Sequence, residues 1–215
     1  MRISVSSITA RSGDELSVCF ELAEGDNSAK QSFVISIDAY TRLGIVKGEC
    51  SRELYEAVER ESTLNGAIKR GIYILSFGDC SAQMLTSKLC AKGIDRQIAA
   101  AAVERICEKG LLDEDESAIR EAERCVAKLW GEPRVRAKLA QRRYSREATE
   151  RAMYALEDRG VDYNALCKAY IDKKYNVLPT DRAQMQKLVA AVCRQGYTAS
   201  QIKAACSALR SERRS

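Results

Sequence analysis

The chain has 215 residues, a formal net charge of +5 at pH 7, nine Cys and no His. Without His, nucleophilic sites of the Ser-His-Asp and Cys-His kinds are excluded. The Cys stand singly, and no two are separated by only two residues, so the usual zinc spacings are absent. We therefore predict no catalytic residue, no metal and no cofactor, and we expect most Cys to be small buried side chains without disulfides.

Compartment and partners follow from the same composition. The odd number of Cys and the lack of a signal peptide predict a cytoplasmic protein, and no apolar run is long enough to span a bilayer. Residues 1–65 hold 7 Lys and Arg against 11 Asp and Glu, whereas residues 66–215 hold 28 against 19. This division predicts a separate N-terminal module and a basic body whose partner is acidic or polyanionic.

The first 50 residues predict a β-rich N-terminal extension. Three segments there are rich in β-branched residues and partly alternate between apolar and polar side chains, namely 2–9, 16–22 and 31–37. We predict a small antiparallel hairpin or three-stranded sheet confined to about residues 1–37. So few strands are marginally stable alone, so this sheet is expected to lean on the helices or to be mobile.

From Ser51 onward the apolar period becomes helical. Ser51 can cap a connecting helix over residues 51–62, and a second helix is predicted from about Thr63 to Phe77. The second helix carries an apolar stripe suited to core packing, formed by Leu64, Ile68, Ile72 and Leu75. The sequence Gly78–Ser81 ends it and begins the next helix.

One pattern occurs three times at a spacing of about fifty residues. The copies are Lys88–Ile106, Lys138–Leu156 and Ala191–Leu209. In each copy a helix-like segment ends, an apolar residue follows, and then comes a residue whose side chain can cap the next helix. Those predicted caps are Asp95, Ser145 and Thr198.

A period of this size predicts stacked supersecondary units. The predicted fold is mainly α, with three tandem three-helix repeats over residues 63–112, 113–161 and 162–215, and nine helices between about 63 and 212. The acidic run Asp113–Glu116 is interpreted as the favourable start of a helix. The expected core includes ten side chains: Leu75, Leu89, Val103, Ile106, Leu139, Met153, Leu156, Leu188, Val192 and Leu209.

The second repeat contains the densest basic stretch. Residues 133–151 hold seven basic and two acidic side chains. Such a run is either a solvated face or a contact surface for nucleic acid or for an acidic protein groove, and few aromatic residues accompany it for base stacking. The candidate partner-binding residues are Arg134, Arg136, Lys138, Arg142, Arg143 and Arg146.

Three stretches in this order and spacing resemble the RecX family of bacterial regulators of the RecA recombinase. They are Gly110–Ala118 (GLLDEDESA), Ser145–Met153 (SREATERAM) and Arg194–Ile202 (RQGYTASQI), and the resemblance covers about residues 63–212. The run 34–58 also resembles the β-rich extension of some members. Two positions depart from the family pattern: Arg143 replaces a common Gly, and Ser117 replaces a common aromatic residue.

The resemblance implies a non-enzymatic regulator of homologous recombination and DNA repair. Such a protein binds RecA filaments on DNA and mainly inhibits RecA ATPase and strand exchange. We expect a monomer with the RecA filament as partner and no membrane partner. A direct binder of single- or double-stranded DNA that competes for DNA, and a helical scaffold for other partners, remain as alternatives.

Overall fold

The structure is a computed structural model and describes residues 2–11, 13–25 and 27–213. It is mainly α-helical with a small antiparallel sheet near the N terminus, as predicted. The chain forms two compact units. The first comprises the residues up to Gly78 together with Leu85–Leu111, and the second comprises Asp79–Met84 together with the residues from Leu112 onward.

The sheet of the first unit has four strands rather than two or three. Strands β1 (Arg2–Ala10), β2 (Glu15–Glu24), β3 (Asn27–Ser36) and β4 (Gly48–Glu49) lie in the order β3-β2-β1-β4, and all neighbours are antiparallel. The prediction that the sheet ends near residue 37 is therefore wrong. Strand β1 pairs with β2 along one edge, and its other edge pairs with the short β4. No local sequence pattern predicts this second pairing.

A short helix, α1 (Ile37–Leu43), connects β3 to the segment that contains β4 and was not predicted. The Ser36 side chain accepts from the backbone N–H of Ala39 at its start, and Gly44 ends it with a left-handed backbone. These are ordinary helix signals, but the seven-residue helix is too short to show an apolar period.

The sheet packs against α2 (Arg52–Leu75), as expected for so small a sheet. The rings of Phe20, Phe33 and Tyr55 meet edge to face, with centroids 5.1–5.8 Å apart. The hydroxyl of Ser62 on the helix accepts from the backbone N–H of Val34 on β3 at 3.1 Å. Apolar burial and hydrogen bonds together hold the sheet on this helix.

Helix α2 is continuous through residues 62 and 63, so the prediction of two separate helices is wrong. Thr63 does not cap a new helix, because its hydroxyl donates back to the carbonyl of Glu59 at 2.9 Å. The predicted apolar stripe is also displaced: Ala67 and Gly71 are buried, whereas Ile72 is 40% exposed. A Cβ on Gly71 would lie 2.5 Å from Cδ1 of Ile106, so the small residues mark the closely packed face.

The remaining helices follow the predicted three-per-repeat order. They are α3 (Ala82–Cys90), α4 (Arg96–Glu108), α5 (Glu114–Val126), α6 (Glu132–Gln141), α7 (Arg146–Asp158), α8 (Tyr163–Lys174), α9 (Arg182–Cys193) and α10 (Ala199–Glu212). The predicted caps Asp95, Ser145 and Thr198 all accept from backbone N–H groups, and Thr198 with Gln201 forms a reciprocal capping box. Asp113 caps α5 at the acidic run.

Two apolar clusters form the core of the second unit, one within α5–α7 and the other within α8–α10. Of the ten predicted core residues, nine are at most 8% exposed. Leu75 is only half-buried and was wrongly included, because it lies at the C-terminal end of α2, beyond the closely packed small residues. All nine Cys are free thiols, and Cys80, Cys125, Cys167 and Cys206 are buried. Within the described ranges, none of the helices combines the length and the apolar character that crossing a membrane requires.

Replacing Leu139 by Ala should lower the free energy of unfolding by about 2–5 kcal/mol, since the side chain is fully buried in the α5–α7 cluster. Replacing Tyr154 by Ala is the control, because its side chain is 71% exposed and the change should cost below about 0.5 kcal/mol. Urea unfolding of both variants measures the difference. Equal costs would contradict the assigned burial.

Candidate interaction surface around the α6–α7 turn

The six candidate basic residues lie on α6, in the turn that follows it and at the start of α7, all within the second unit. Along α6, Arg134 and Lys138 are four residues apart and share one side of the helix. Arg136 lies on a different side, toward α7. The stretch therefore does not form one continuous face, and the surroundings of each residue decide what it can bind.

Arg136 is compensated by two carboxylates. Its guanidinium donates to Glu132 at 2.8 Å and to Glu150 at 2.7 Å. These hydrogen bonds raise the pKa of Arg136, and the one to Glu150 lowers the pKa of that carboxyl group. Arg136 thus joins α6 to α7 and contributes little net positive charge to a partner.

Arg134 is held inside its own unit. Its guanidinium carbon stands 3.9 Å from the ring centroid of Trp130, a distance suited to a cation–π contact. The same group donates to the carbonyl of Arg194 at 3.3 Å and to the side chain of Gln195. Arg134 therefore links the start of α6 to the turn between α9 and α10.

Arg142 is half-buried, and its Nε lies 3.7 Å from a carboxylate oxygen of Glu121. Glu121 itself is only 8% exposed and also pairs with Arg124. A buried carboxylate needs such partners, since an unpaired buried charge is costly. Reversing the charge of Arg142 would therefore disturb the packing as well as the surface.

The remaining three candidates, Lys138, Arg143 and Arg146, form what we call the turn surface. Arg143 and Arg146 are exposed, and Lys138 is half-buried with its ammonium donating to the side chain of Gln141 at 3.1 Å. Among the described residues, no carboxylate lies within ion-pair distance of Lys138 or Arg146. Arg143 has φ 60°, the left-handed conformation that the more usual Gly adopts without strain.

The loop before α6 packs on the turn before α10. The backbone N–H of Gly131 donates to the carbonyl of Gln195 at 2.8 Å, and the Tyr197 hydroxyl donates to the carbonyl of Leu129 at 2.9 Å. A Cβ on Gly131 would overlap the carbonyl of Gly196. This contact, the loop–turn junction, joins the α5–α7 helices to the α8–α10 helices.

An equivalent contact joins residues 79–84 to the turn after α6. The Ser81 hydroxyl donates to the carbonyl of Arg142 at 2.8 Å. Arg120 donates to both carboxylate oxygens of Asp79, at 2.8 and 3.2 Å. A loop that precedes the second helix of a repeat thus contacts, in both cases, a turn that precedes a third helix, with 61 to 68 residues between the bonded partners.

Two tyrosines at equivalent repeat positions carry hydrogen bonds that the sequence analysis did not anticipate. The Tyr144 hydroxyl lies 2.7 Å from the hydroxyl of the buried Ser117, and Tyr197 donates to the loop before α6. Burial raises the pKa of both phenols. The small Ser117 leaves room for the Tyr144 hydroxyl, which explains one departure from the family pattern. The shared Tyr at two repeat positions was the available signal.

The amino-acid sequence is similar to those of known regulatory proteins. No family model matches the chain. The chain is 31% identical to the regulatory protein RecX of Escherichia coli (strain SE11) over 159 residues, which cover 69% of this chain and 94% of the relative. It is 27% identical to the regulatory protein RecX of Xanthomonas citri over 139 residues, covering 64% of this chain and 84% of the relative.

Two solved structures show the same fold. One, described as the crystal structure of regulatory protein RecX, gives a TM-score of 0.72 with 17% identity and covers 94% of this chain and 98% of its own. RecX from Lactobacillus salivarius gives 0.59 with 12% identity and covers 69% and 97%. The fold is thus that of a helical-repeat protein with an N-terminal sheet. The similarity to the Escherichia coli relative shows that the chain belongs to the RecX family.

Replacing Gly131 by Ala should open the loop–turn junction and lower the free energy of unfolding by about 1–3 kcal/mol through overpacking. Trp130 is the only Trp of the chain and lies beside the junction, so its emission should also change in the folded variant. The control is Gly160→Ala, where a Cβ meets nothing within 4 Å but φ is 75°. It should cost about 1–2 kcal/mol without changing Trp130 emission. A Gly131→Ala variant with parental stability and emission would refute the junction.

Acid should weaken the contact between Asp79 and Arg120. The hydrogen bonds from Arg120 hold the pKa of Asp79 below its usual value. The resulting stability is present above the unfolded-state pKa and is lost as the pH falls through the lower folded-state value. The stability difference between the parent and Asp79→Asn, measured by urea unfolding from pH 7 to pH 2, should therefore shrink below about pH 4. A difference that does not depend on pH would contradict this role.

Proposed function

We propose that the chain regulates RecA by binding RecA filaments on DNA and restraining their ATPase and strand exchange. The observation that carries this proposal is the turn surface of Lys138, Arg143 and Arg146, which projects basic side chains from a tightly packed scaffold. The relatives are named regulatory proteins, which supports a non-enzymatic role.

Electrostatics give the proposal its mechanism. A nucleoprotein filament carries the negative charge of its DNA, so exposed cations increase the rate of association and make it depend on salt. The chain contains neither of the glycine-rich phosphate-binding motifs, Gly-x-x-x-x-Gly-Lys-Ser/Thr or Gly-x-Gly-x-x-Gly. Regulation would therefore come from a difference in affinity for filament states.

We also propose that residues 63–112, 113–161 and 162–215 are the three repeats of this scaffold, the first of which begins within the continuous helix α2. The loop–turn junction supports the boundary between the second and third repeats, because it links the loop before the second helix of one triplet to the turn before the third helix of the next. Stacked repeats of this kind present long surfaces able to bridge successive subunits of a filament.

The proposal is tested with Arg143→Glu/Arg146→Glu. Both side chains are exposed, and Glu at the start of α7 suits the helix dipole, so the fold should be retained. We expect this variant to need at least about tenfold more protein for half inhibition of RecA ATPase on single-stranded DNA, equivalent to about 1.4 kcal/mol. Its inhibition should also depend less on salt.

Arg60→Glu/Arg70→Glu is the matched control. Both residues are exposed on α2, and the pair changes the net charge by the same amount. Inhibition by the control should resemble that of the parent. If the two double variants lose inhibition equally, net charge alone is responsible and the turn surface is not the site.

Direct DNA binding is the second candidate function, favoured because Lys138 and Arg146 form no ion pair with a carboxylate among the described residues. Glu150 is nevertheless close enough to Arg146 for its pKa to be lowered by the hydrogen bond from Arg136 and also by the charge of Arg146. Direct DNA binding predicts tighter binding to bare DNA than to RecA-coated DNA, because RecA occupies the sites, and competition for DNA would then explain any inhibition. Regulation through the filament predicts tighter binding to RecA-coated DNA at the same salt concentration. Fluorescence anisotropy over a salt series separates the two.

A further inference from the structure

Helices α9 and α10 form a groove on the third repeat that is not part of the turn surface. Two adjoining hollows of about 400 and 450 Å³ share Met185, Val189 and Arg210 as lining residues. The lining of α10 runs from Ala199 to Arg210 at helical spacing, which corresponds to about 16 Å of groove at 1.5 Å per residue. A groove between two helices with this spacing suits an incoming helix.

The floor of this third-repeat groove is apolar. Ile202 and Cys206 are buried beneath it, and Met185 and Val189 are half-buried along its side. Burial raises the pKa of the Cys206 thiol, which favours its neutral form. An apolar side chain entering the groove would therefore meet an uncharged surface.

The rim of the third-repeat groove is basic. Arg182, Lys203 and Arg210 line it, and no carboxylate does so among the described residues. The nearest acidic residues along the chain have other partners: Asp181 caps α9, and Glu212 pairs with Lys168. Lys203 and Arg210 thus line the hollow with the apolar floor, and Arg182 and Arg210 line the adjoining one. Arg210 also donates to the carbonyl of Pro179 at 3.4 Å.

The corresponding groove of the second repeat has the opposite character. Counting back 53 residues from Met185, Lys203 and Arg210 leads to Glu132, Glu150 and Glu157. These three residues line a cleft of about 550 Å³ between α6 and α7. Arg136 also lines this cleft and pairs with Glu132 and Glu150. The shared groove position thus holds three carboxylates and one cation in the second repeat, and cations without a lining carboxylate in the third.

The second-repeat cleft is also lined by residues beyond α6 and α7. Val161 and Tyr163, which follow α7, are among its lining residues. All residues that line the third-repeat groove come from α9, α10 and Thr180. The third-repeat groove thus has an apolar floor that no described segment after α10 covers.

We propose that the third-repeat groove is a docking site for an acidic amphipathic helix of a partner protein. Apolar side chains spaced by three and four residues would lie on the floor formed by Ile202 and Cys206. Flanking Glu or Asp side chains would pair with Arg182, Lys203 and Arg210. Apolar burial then supplies the affinity, and the basic rim selects acidic over basic helices.

The test uses the full chain and two labelled synthetic helical peptides of about 14 residues. Both carry Leu at positions i, i+3, i+4 and i+7, one with Glu and the other with Lys at the flanking positions. Fluorescence anisotropy should show the Glu peptide binding the parent at least tenfold more tightly than the Lys peptide. For Lys203→Glu/Arg210→Glu the preference should reverse, and such a reversal cannot arise from loss of folding.

Two further variants sharpen the test. Val189→Asn should weaken the Glu peptide at least fivefold by making the apolar side of the groove polar. Lys187→Glu is the control, since Lys187 is exposed on the same helix but does not line the groove. The affinity of this variant for the Glu peptide should equal that of the parent. If Lys187→Glu weakens binding of the Glu peptide as much as Lys203→Glu/Arg210→Glu does, net charge explains the effect and the proposal is wrong.

Other occupants give different results. If the parent forms dimers in sedimentation that Lys203→Glu/Arg210→Glu abolishes, and the peptide does not bind, the groove binds a second copy and the proposal is wrong. If a DNA oligonucleotide displaces the Glu peptide, the rim is a polyanion site, and the proposal is also wrong. RecA is absent from this assay, and Arg143→Glu/Arg146→Glu should bind the Glu peptide normally, so failure here is independent of failure of the proposed function.

Discussion

The close approach of Gly131 to the turn before α10 is the contact on which the second unit depends. The hydrogen bond from Gly131 to Gln195 requires two backbones to meet where a Cβ on either glycine, Gly131 or Gly196, would overlap its neighbour. Once this distance is set, the Tyr197 hydroxyl reaches the loop before α6. Arg134 is then held between Trp130 and the same turn. The junction thereby converts two helix triplets into one packed body.

The packing of the second unit also determines which basic residues have partners within the protein and which can contact another molecule. Arg134, Arg136 and Arg142 are used within the unit, where they neutralise carboxylates or join elements. A cation that is already paired gains little from a new anionic partner, because its own ion pair must first be broken. Among the described residues, Lys138 and Arg146 form no ion pair, although the hydrogen bond from Arg136 and the charge of Arg146 both lower the pKa of Glu150. The dense charge run along the chain thus becomes a smaller surface around one turn.

The grooves show how a repeated backbone can support different chemistry. The positions Glu132 and Met185 correspond, as do Glu150 and Lys203, although the helices around them have the same arrangement. Ile202 and Cys206 of the groove floor belong to the packed core, whereas Lys203 and Arg210 of the rim are exposed. The charge of the rim can therefore differ between the repeats while the core and the junction are retained. Separate surfaces for a filament and for a partner helix are therefore compatible within one small scaffold.

The capped helix starts of the repeats, the order of three helices per repeat and nine of the ten expected core residues could be read from the sequence, whereas the expected start at Thr63 was wrong and α1 was not predicted. Caps such as Ser145 and Thr198 act on amides two or three residues away, and the apolar period reflects which side of a helix faces the core, so these signals are local. Three other features could not be read from the sequence: the pairing of β4, the packed face of α2 at Gly71, and the partners of Arg136 and Arg142. Each depends on residues distant along the chain, and their side-chain distances exist only after the elements have packed together.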